Sequence, residues 1–143
     1  MQTITIVSSL VKPVLSLKLA DRFEVLQSPI HGKGLFACGL PIAMGEIIMQ
    51  ISPEHFSNQK RHPWNRKYPD VAAHFINHSC QPNAMIVFSE ASRAMSVVAS
   101  RFIRPHEEIT LDYHLLEVGG ALIPCQCKSP NCKGTFPVNQ NTL

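Results

Sequence analysis

The sequence predicts a mainly β fold, and three observations favour it. Its apolar segments are short and rich in β-branched residues, as in Ile47–Ile51 and residues 85–88. Glycine, proline and polar turn residues separate these segments at close intervals. The chain contains no internal repeat, no heptad pattern and no long amphipathic helical stretch. With 143 residues, it suits one domain built from many short strands.

Individual elements follow from the same pattern. We predict strands where β-branched and aromatic residues run between turn formers. The predicted strands are 23–27, 35–38, 47–51, 85–88, 95–103 and 109–113. The polar residues 89–94 predict a hairpin connection. Residues 52–70 contain three prolines and predict a loop, followed by one helical turn at 71–75.

Composition and charge exclude several classes of protein. A hydrophobic fraction of 45% and a charged fraction of 16% are typical of a globular chain. The net charge of +3 is mild, and the basic pairs at 60–61 and 66–67 fit a solvated loop better than a nucleic-acid surface. Residues 1–19 are apolar, but lysines interrupt them and no cleavage site follows, which argues against a signal peptide or a membrane span. We therefore expect an intracellular protein that binds neither nucleic acid nor a membrane.

The cysteines predict a metal site. Cys125, Cys127 and Cys132 follow a C-x-C-x4-C spacing beside proline and glycine, and three thiolates in this pattern can surround one Zn²⁺. A closed structural site needs a fourth ligand. Cys80 is the best candidate, because Cys38 lies in an apolar strand and fits a buried small hydrophobe. A disulfide or three free thiols is the alternative, and the odd number of cysteines disfavours it.

The polar run 74–83 is the stretch around which the chain is organised. Asn77 and His78 each carry donor and acceptor groups, yet they lie between apolar segments, and buried polar groups must be paired. Pro82 prevents a helix from continuing through the run. Such a run fits either a ligand-binding segment or an ordinary loop rich in turn formers. The glycine pair at 32–34 fits either a backbone that approaches a ligand or a hairpin turn.

Four stretches in this order resemble the SET-domain protein lysine methyltransferases. They are Gly32 to Phe36, the run 75–83, Glu107 to Tyr113, and the cysteine cluster followed by Lys133 and Gly134. The resemblance spans roughly residues 23–136. It implies a SET-domain, β-clip-like fold of small curled sheets with a C-terminal pseudoknot and a short zinc-bound tail. It also divides the chain into an N-terminal extension (1–21) packing on the domain, a SET domain (22–116) and a post-SET tail (117–143).

The resemblance also implies a role for individual residues. Tyr113 would be the catalytic tyrosine at the floor of a lysine channel. S-adenosylmethionine would be bound by residues from three of the motifs and the tail. These residues are Lys33, Gly34, Leu35, Asn77, His78, Tyr113 and Phe136. In this family the cysteine of the Asn-His-Ser-Cys motif completes the zinc site, which agrees with Cys80 as the fourth ligand.

Three departures from the family pattern affect what we expect. His74 stands where the family often has arginine, and the Gly45-Glu46 turn leads into a strand that lacks the usual tyrosine. The chain has only two tyrosines, so the channel lacks its second phenol unless Tyr68 folds into it. Leu111 replaces the phenylalanine or tyrosine that helps to limit the number of methyl groups, so we expect products beyond monomethyl-lysine.

The function that the resemblance implies is transfer of methyl groups from S-adenosylmethionine to a protein lysine. The substrate would be an exposed lysine in a basic segment, as in a histone tail, and the compartment would be the nucleus in a eukaryote or the cytoplasm in a prokaryote. One alternative is a non-catalytic SET-like module that binds a protein tail or the cofactor. Another is a zinc-stabilised interaction domain. The apolar residues before position 21, including the alternating residues 3–7, fit either a homodimer interface or a packed strand.

Overall fold

The described part of the chain consists of short strands. The computed structural model describes residues 22–51, 72–115 and 121–138. Its strands are β1 (Phe23–Gln27), β2 (Lys33–Ala37), β3 (Ile47–Ile51), β4 (Asn77–His78), β5 (Ala84–Ser89), β6 (Ala94–Ala99), β7 (Thr110–Leu111), β8 (Ala121–Pro124) and β9 (Thr135–Val138). Two 3₁₀ helices, Ala72–Phe75 and Tyr113–Leu115, interrupt them. The predicted mainly β fold is confirmed.

Strands β1 and β2 form an antiparallel hairpin that presents a tight polar loop. Their register runs from Phe23 opposite Ala37 to Gln27 opposite Lys33. The amide of Ser28 donates to the carbonyl of Gly32 at 2.8 Å and closes the loop. Gly32 has a φ of 48°, a left-handed conformation in which glycine carries no Cβ penalty. The loop therefore has a defined shape beside the end of β2.

A three-stranded antiparallel sheet forms the second layer, in the order β3-β6-β5. The predicted hairpin is present as β5 and β6, with Arg93 at a φ of 53° in its turn. A β-bulge interrupts the pairing of β3 with β6 between Ile47 and Met49. Bulges bend a strand locally, which suits a small curled sheet.

The most consequential pairing is the parallel one between β4 and β7. Asn77 lies opposite Thr110 and His78 lies opposite Leu111. The amide of Ser79 extends the pairing by donating to the carbonyl of Leu111 at 2.9 Å. A parallel pair requires a long connection, which here includes the whole β5–β6 hairpin. The pairing brings together the two motif segments that the family resemblance places in its pseudoknot.

Asn83 clamps this crossing from inside the protein. Its side-chain oxygen accepts from the amide of Thr110 at 2.9 Å, and its Nδ2 donates to the carbonyl of Glu108 at 2.7 Å. The residue is 1% exposed, so both backbone groups depend on it for their hydrogen bonds. One buried amide thus satisfies two backbone groups at the edge of β7.

The core lies where the hairpin, the sheet and the β4–β7 pair meet. Its members are mostly branched aliphatic side chains, which come from the hairpin, the three-stranded sheet, the β4–β7 pair and the loops between them. The largest fully buried apolar ones are Leu35, Ile42, Ile76, Ile103, Ile109, Leu111 and Val97. No helix in the described part of the chain is long and apolar enough to cross a bilayer.

Two predicted strands are shorter than expected. The segment 95–103 stops being a strand at Ala99, because the Ser100 amide turns to the Asn83 carbonyl and Ile103 pairs with Ile42 instead. The segment 109–113 pairs only at Thr110–Leu111. The helical turn predicted at 71–75 appears as the 3₁₀ helix Ala72–Phe75. The predicted strand at 3–7, the loop 52–70 and Tyr68 lie outside the described residues.

We expect Asn83→Ala to destabilise the protein by about 3 kcal/mol, because it leaves two backbone groups buried without partners. Urea unfolding at constant zinc measures the change. Gln81→Ala is the control, since Gln81 is exposed and should shift stability by no more than about 0.5 kcal/mol. Equal stability of the two variants would show that the amide does not hold the crossing.

Candidate methyltransferase site

Asn77 ties β4 to the polar loop between β1 and β2. Its Nδ2 lies 3.0 Å from the carbonyl oxygen of His31, 3.1 Å from that of Lys33 and 2.8 Å from the Glu108 carboxylate. The side-chain amide has two hydrogens, so these three acceptors share them. Asn77 therefore fixes the position of the loop backbone relative to β4, while its Oδ1 has no hydrogen-bond partner within the described residues.

The Glu108 carboxylate completes the same network. Ser28 lies with its hydroxyl 2.8 and 2.9 Å from the two carboxylate oxygens. The carboxylate also occupies the space in front of Gly34, where an added Cβ would stand 2.1 Å from Oε1. Glycine is thus required at position 34 for close packing and not for a positive φ. This is the reason for the second glycine of the Gly-x-Gly pair.

The three consecutive residues predicted to bind cofactor differ in exposure. Lys33 is exposed, whereas Gly34 is buried and Leu35 is only 1% exposed in the core. The Leu35 side chain therefore packs inside the protein, and its carbonyl already accepts from the amide of Ile109 at 2.7 Å. At this edge, the Lys33 side chain and the backbone are the groups that can meet a ligand.

His78 lies at the centre of the site. It is 1% exposed, and its Nδ1 accepts from the backbone amide of Tyr113 at 3.0 Å. Its Nε2 lies 3.3 Å from Sγ of Cys80. Burial lowers the pKa of His78 to about 4 despite the opposing charge of Asp112, so the ring is neutral near pH 7.

Tyr113 is held at two points. Its amide donates to His78, and its hydroxyl donates to the carbonyl of Ile76 at 2.5 Å. It begins the 3₁₀ helix that follows β7, because its amide turns to a side chain and not to a neighbouring strand. Its ring centroid lies 5.5 Å from that of His78 and 5.6 Å from that of Phe136. The phenol is therefore fixed at the junction of β4, β7 and the tail.

The tail contributes Phe136 to this aromatic group. Its ring stacks on His78 with centroids 4.6 Å apart and an interplanar angle of 23°. Phe136 is 6% exposed and belongs to β9, which pairs with β8. The sequence predicts Phe136 near the cofactor or the channel, and the structure places it against His78 and Tyr113.

Sequence reasoning assigned no role to His114, which fastens the tail to the domain. Its Nδ1 lies 2.8 Å from the Asp112 carboxylate and its Nε2 lies 3.0 Å from the carbonyl oxygen of Thr135. Sequence reasoning also missed Glu108 as a partner of Asn77 and Ser28 as a partner of Glu108. The signal for His114 was available, since it directly follows the Asp112-Tyr113 pair, but its partner in β9 is distant in sequence.

The four predicted zinc ligands come together. The Sγ atoms of Cys80, Cys125, Cys127 and Cys132 all lie within 4.8 Å of one another. Cys80 and Cys125 are 3.9 Å apart at sulfur, close to the edge of about 3.8 Å expected for a tetrahedron with zinc–sulfur bonds of about 2.3 Å. The set matches a closed structural zinc site, and Cys80 joins the tail to the end of β4.

The surroundings of the sulfurs also suit a bound cation. Backbone amides donate to Cys80 from Lys133 at 3.3 Å and to Cys132 from Gly134 at 3.4 Å. Burial raises the pKa of Cys125, whereas the Ser129 side chain and the Cys80 backbone outweigh burial at Cys127 and lower its pKa to about 6. Thiolates this close together repel one another unless a cation lies between them.

Neither a disulfide nor a second group of possible metal ligands accounts for the site as well as the four-cysteine cluster does. None of the five cysteines, all within described segments, forms a disulfide. A second group, His78, Cys80 and His114, also lies within 4.8 Å. Its imidazole nitrogens already have protein partners, so the four-cysteine set accommodates a metal better. Cys38 is half-buried, less buried than the sequence interpretation supposed.

The fold and the site together define a class: a small β protein with a crossed parallel pair, an Asn-His segment in which the histidine is buried, and a tail with a cysteine cluster that could hold a metal ion. Comparisons with known proteins agree with this class. Residues 48–114 match the SET domain. The methyltransferase domain of human SETMAR, a histone-lysine N-methyltransferase, superposes with a TM-score of 0.61 at 20% identity, over 82% of this chain and 58% of that one. The match of residues 48–114 to the SET domain and the shared fold agree with the resemblance that the motifs carry.

Sequence relatives are histone-lysine N-methyltransferases. The SETD1B protein of Homo sapiens is 29% identical over 140 residues, which covers 80% of this chain and 7% of that protein. An H3 lysine-4 specific enzyme of Yarrowia lipolytica is 45% identical over 65 residues, covering 43% of this chain and 6% of the relative. An H3 lysine-36 specific enzyme of Kluyveromyces lactis is 41% identical over 64 residues, covering 43% and 9%. The chain thus spans less than a tenth of each of these relatives.

We expect Cys127→Ser to reduce bound zinc from one equivalent per chain to well below one, because a closed site loses a ligand. Elemental analysis of the purified variant measures the metal. Cys38→Ser is the matched control and should keep a full equivalent, since Cys38 is not part of the four-sulfur cluster. Loss of zinc in the control, or its retention in Cys127→Ser, would contradict the assignment of ligands.

Proposed function

We propose that this protein is an S-adenosylmethionine-dependent protein lysine N-methyltransferase. The observation that carries the proposal is the convergence of Asn77, His78 and Tyr113 at the parallel β4–β7 pair, with Phe136 stacked on His78. His78 is buried and the other two are partly buried, and a scaffold without a ligand has no need to gather polar groups in such a place, where they must be paired.

The residues present fit the cofactor. Asn77 uses its Nδ2 within the protein and keeps Oδ1 as an acceptor, the type of group that an α-ammonium requires. The carbonyl of Lys33 lies beside it, and Phe136, only 6% exposed, belongs to the site through its packing on His78 and Tyr113. When bound, S-adenosylmethionine supplies an activated methyl group on a sulfonium.

Tyr113 has the role of orienting the substrate amine. Because its proton is donated to the carbonyl of Ile76, the hydroxyl oxygen acts as an acceptor toward an N–H of the amine. The amine must be neutral to react, and a free lysine has a pKa near 10.4. A desolvated channel lowers that pKa, and the hydroxyl then holds the lone pair in line for displacement. Positioning and electrostatics therefore account for most of the rate.

The substrate class follows from the relatives and the chemistry. The relatives' names specify histone H3, at lysine 4 in one case and lysine 36 in another. We propose an exposed lysine in a basic segment, such as a histone tail, as the substrate, with a nuclear location in a eukaryote or a cytoplasmic one in a prokaryote. We also propose residues 1–21 as an extension packing on the SET domain (22–116), and 117–143 as the zinc-binding tail.

We expect Tyr113→Phe to lower the turnover number at least about 100-fold while the affinity for S-adenosylmethionine changes only a few-fold, since the lost hydroxyl orients the amine. Transfer of labelled methyl groups to core histones measures turnover, and calorimetry measures cofactor binding. Bound zinc and the unfolding midpoint of the variant check its folding.

The same assay separates the competing functions. If the wild type binds the cofactor but labels neither histones nor a mixture of basic proteins, the non-catalytic binding module is favoured. If the wild type does not bind S-adenosylmethionine at all, the enzyme proposal is wrong. A Tyr68→Phe variant assayed in parallel tests the second phenol, which lies outside the described residues.

We expect the reaction products to include di- or trimethyl-lysine, because Leu111 is smaller than a phenylalanine or tyrosine. Mass spectrometry of a histone peptide after many turnovers reads the product. Leu111→Phe is the matched variant and should shift products toward monomethyl-lysine, provided that its unfolding midpoint shows that the buried site tolerates the ring. A strictly monomethylated wild-type product would contradict the expectation.

A further inference from the structure

Glu108 is a partly buried residue whose backbone is held against β2. It forms an isolated antiparallel bridge with Phe36. The amide of the next residue, Ile109, donates to the carbonyl of Leu35 at 2.7 Å. Because these contacts join the backbone to the core, the start of the Glu108 side chain has a fixed place relative to β2.

The Glu108 carboxylate reaches the loop between β1 and β2 through Ser28. The Ser28 hydroxyl donates to it, with Oγ 2.8 and 2.9 Å from the two carboxylate oxygens. The same Oγ accepts from the amides of Ile30 at 2.9 Å and His31 at 3.3 Å. A hydroxyl has one hydrogen and two lone pairs, so these contacts use its full capacity. The carboxylate therefore orients the hydroxyl, and the hydroxyl holds the loop.

The same carboxylate helps to determine which way the Asn77 amide faces. Nδ2 of Asn77 lies 2.8 Å from Oε1 of Glu108. Its other two neighbours are the carbonyl oxygens of His31 and Lys33. A carbonyl oxygen and an ionised carboxylate can only accept, so the atom among the three has to be the amide nitrogen. Oδ1 is thereby left for a donor from outside this network.

Gly34 provides the space that the carboxylate occupies. A Cβ at this position would stand 2.1 Å from Oε1 and 2.7 Å from Cδ of Glu108. Both residues lie on backbone that is paired, Gly34 with β1 and Glu108 with β2. A side chain at position 34 would therefore push the carboxylate away from Ser28 and Asn77.

We propose that Glu108 is a positioning residue for the cofactor, whose carboxylate holds the loop 28–32 and the Asn77 amide in the arrangement that binds S-adenosylmethionine. The inference rests on the proposed function and deepens it. Glu108 acts through Ser28 and Asn77. Its loss should therefore weaken cofactor binding and leave the methyl-transfer step, which we assign to Tyr113, nearly unchanged.

Two substitutions at position 108 separate the hydrogen bonds from the charge. Glu108→Ala removes both acceptor oxygens, and we expect it to raise the Kd for S-adenosylmethionine about 10-fold or more. Glu108→Gln keeps one oxygen, which can accept from both Ser28 and Asn77, and should stay within about threefold of wild type. Calorimetry with the full chain measures both values. Equal losses in the two variants would overturn the role of the hydrogen bonds.

Glu107→Ala is the matched control for loss of a structural carboxylate. Glu107 is the preceding residue, and its carboxylate accepts from the Arg101 guanidinium and, at 2.9 Å, from the amide of Arg104. We expect this variant to lower the unfolding midpoint but to change the Kd for S-adenosylmethionine by no more than about twofold. A loss of affinity as large as that of Glu108→Ala would show a general effect of stability and overturn the proposal.

Gly34→Ala is an independent way to displace the carboxylate. Alone, it should raise the Kd for S-adenosylmethionine about 10-fold. Combined with Glu108→Ala, it should add no more than about threefold, because the carboxylate with which it collides is already gone. If the double variant shows the product of the two single losses, the two positions act independently and the proposal is wrong.

Hydrogen exchange tests the network without the cofactor. Glu108→Ala should speed exchange at the Ile30 amide at least about fivefold, because Ser28 loses the partner that orients it. The amides of Ile42 and Ile103, each bonded to the carbonyl of the other at 2.9 Å, are internal references and should be unchanged. An equal rise at the references would indicate general loosening and count against the proposal.

Kinetics separate this inference from the proposed function. Glu108→Ala should raise the KM for S-adenosylmethionine about 10-fold, while turnover at saturating cofactor stays within about threefold of wild type. A large loss of turnover at unchanged KM would overturn the positioning role. If wild type is active and Glu108→Ala binds the cofactor equally well, the role of Glu108 is wrong and the proposed function stands. If wild type does not bind S-adenosylmethionine, the proposed function fails and this role fails with it.

Discussion

The parallel pairing of β4 with β7 is the constraint on which the rest of the structure depends. Two strands of two residues each cannot be stable through their own hydrogen bonds, and a long connection between them adds entropic cost. The pair is held by burial of Ile76, Ile109 and Leu111 around it, and by the Asn83 clamp. Because the crossing places Asn77–His78 beside the residues before Tyr113, the site exists only when the crossing forms.

The polar network around Asn77 shows how a partly buried polar segment is satisfied while it retains a binding surface. Glu108 and two loop carbonyls accept from the Asn77 amide, and Ser28 in turn donates to Glu108. Glycine at position 34 is the condition for the carboxylate to fit. Satisfying these groups within the protein rigidifies the loop, and this pre-organises the edge that we propose for the cofactor.

The cysteine tail contributes residues to the site and also helps to stabilise the fold. It contacts the domain at three chemically different points: Cys80 in the four-cysteine cluster, His114 on Thr135, and Phe136 on His78. A hairpin of two four-residue strands has little core of its own, so the zinc that we propose for the cluster would stabilise it. Its aromatic residue reaches the proposed cofactor site only in this docked state.

The sequence by itself determined the class of fold, the family resemblance and the type of residue expected to bind a metal. Short β-branched segments predicted β1, β3 and β5 close to their observed bounds, because side-chain pattern and local propensity act over a few residues. Motif order indicated the SET domain. Cysteine spacing predicted three clustered thiolates with Cys80 as the best fourth candidate, and the four sulfurs do lie together. These are properties of residue identity and short-range order.

Tertiary structure alone decided the rest. The ends of β6 and β7, the contact of His78 with the Tyr113 amide, the carboxylate in front of Gly34 and the attachment of His114 to β9 all depend on contacts between distant segments. Secondary-structure propensity does not identify such partners. A histidine or glutamate is the same letter in the sequence whether its side chain lies in solvent or forms a hydrogen bond with a distant segment. The physical reason is that buried polar groups take their roles from the acceptors and donors that folding brings to them.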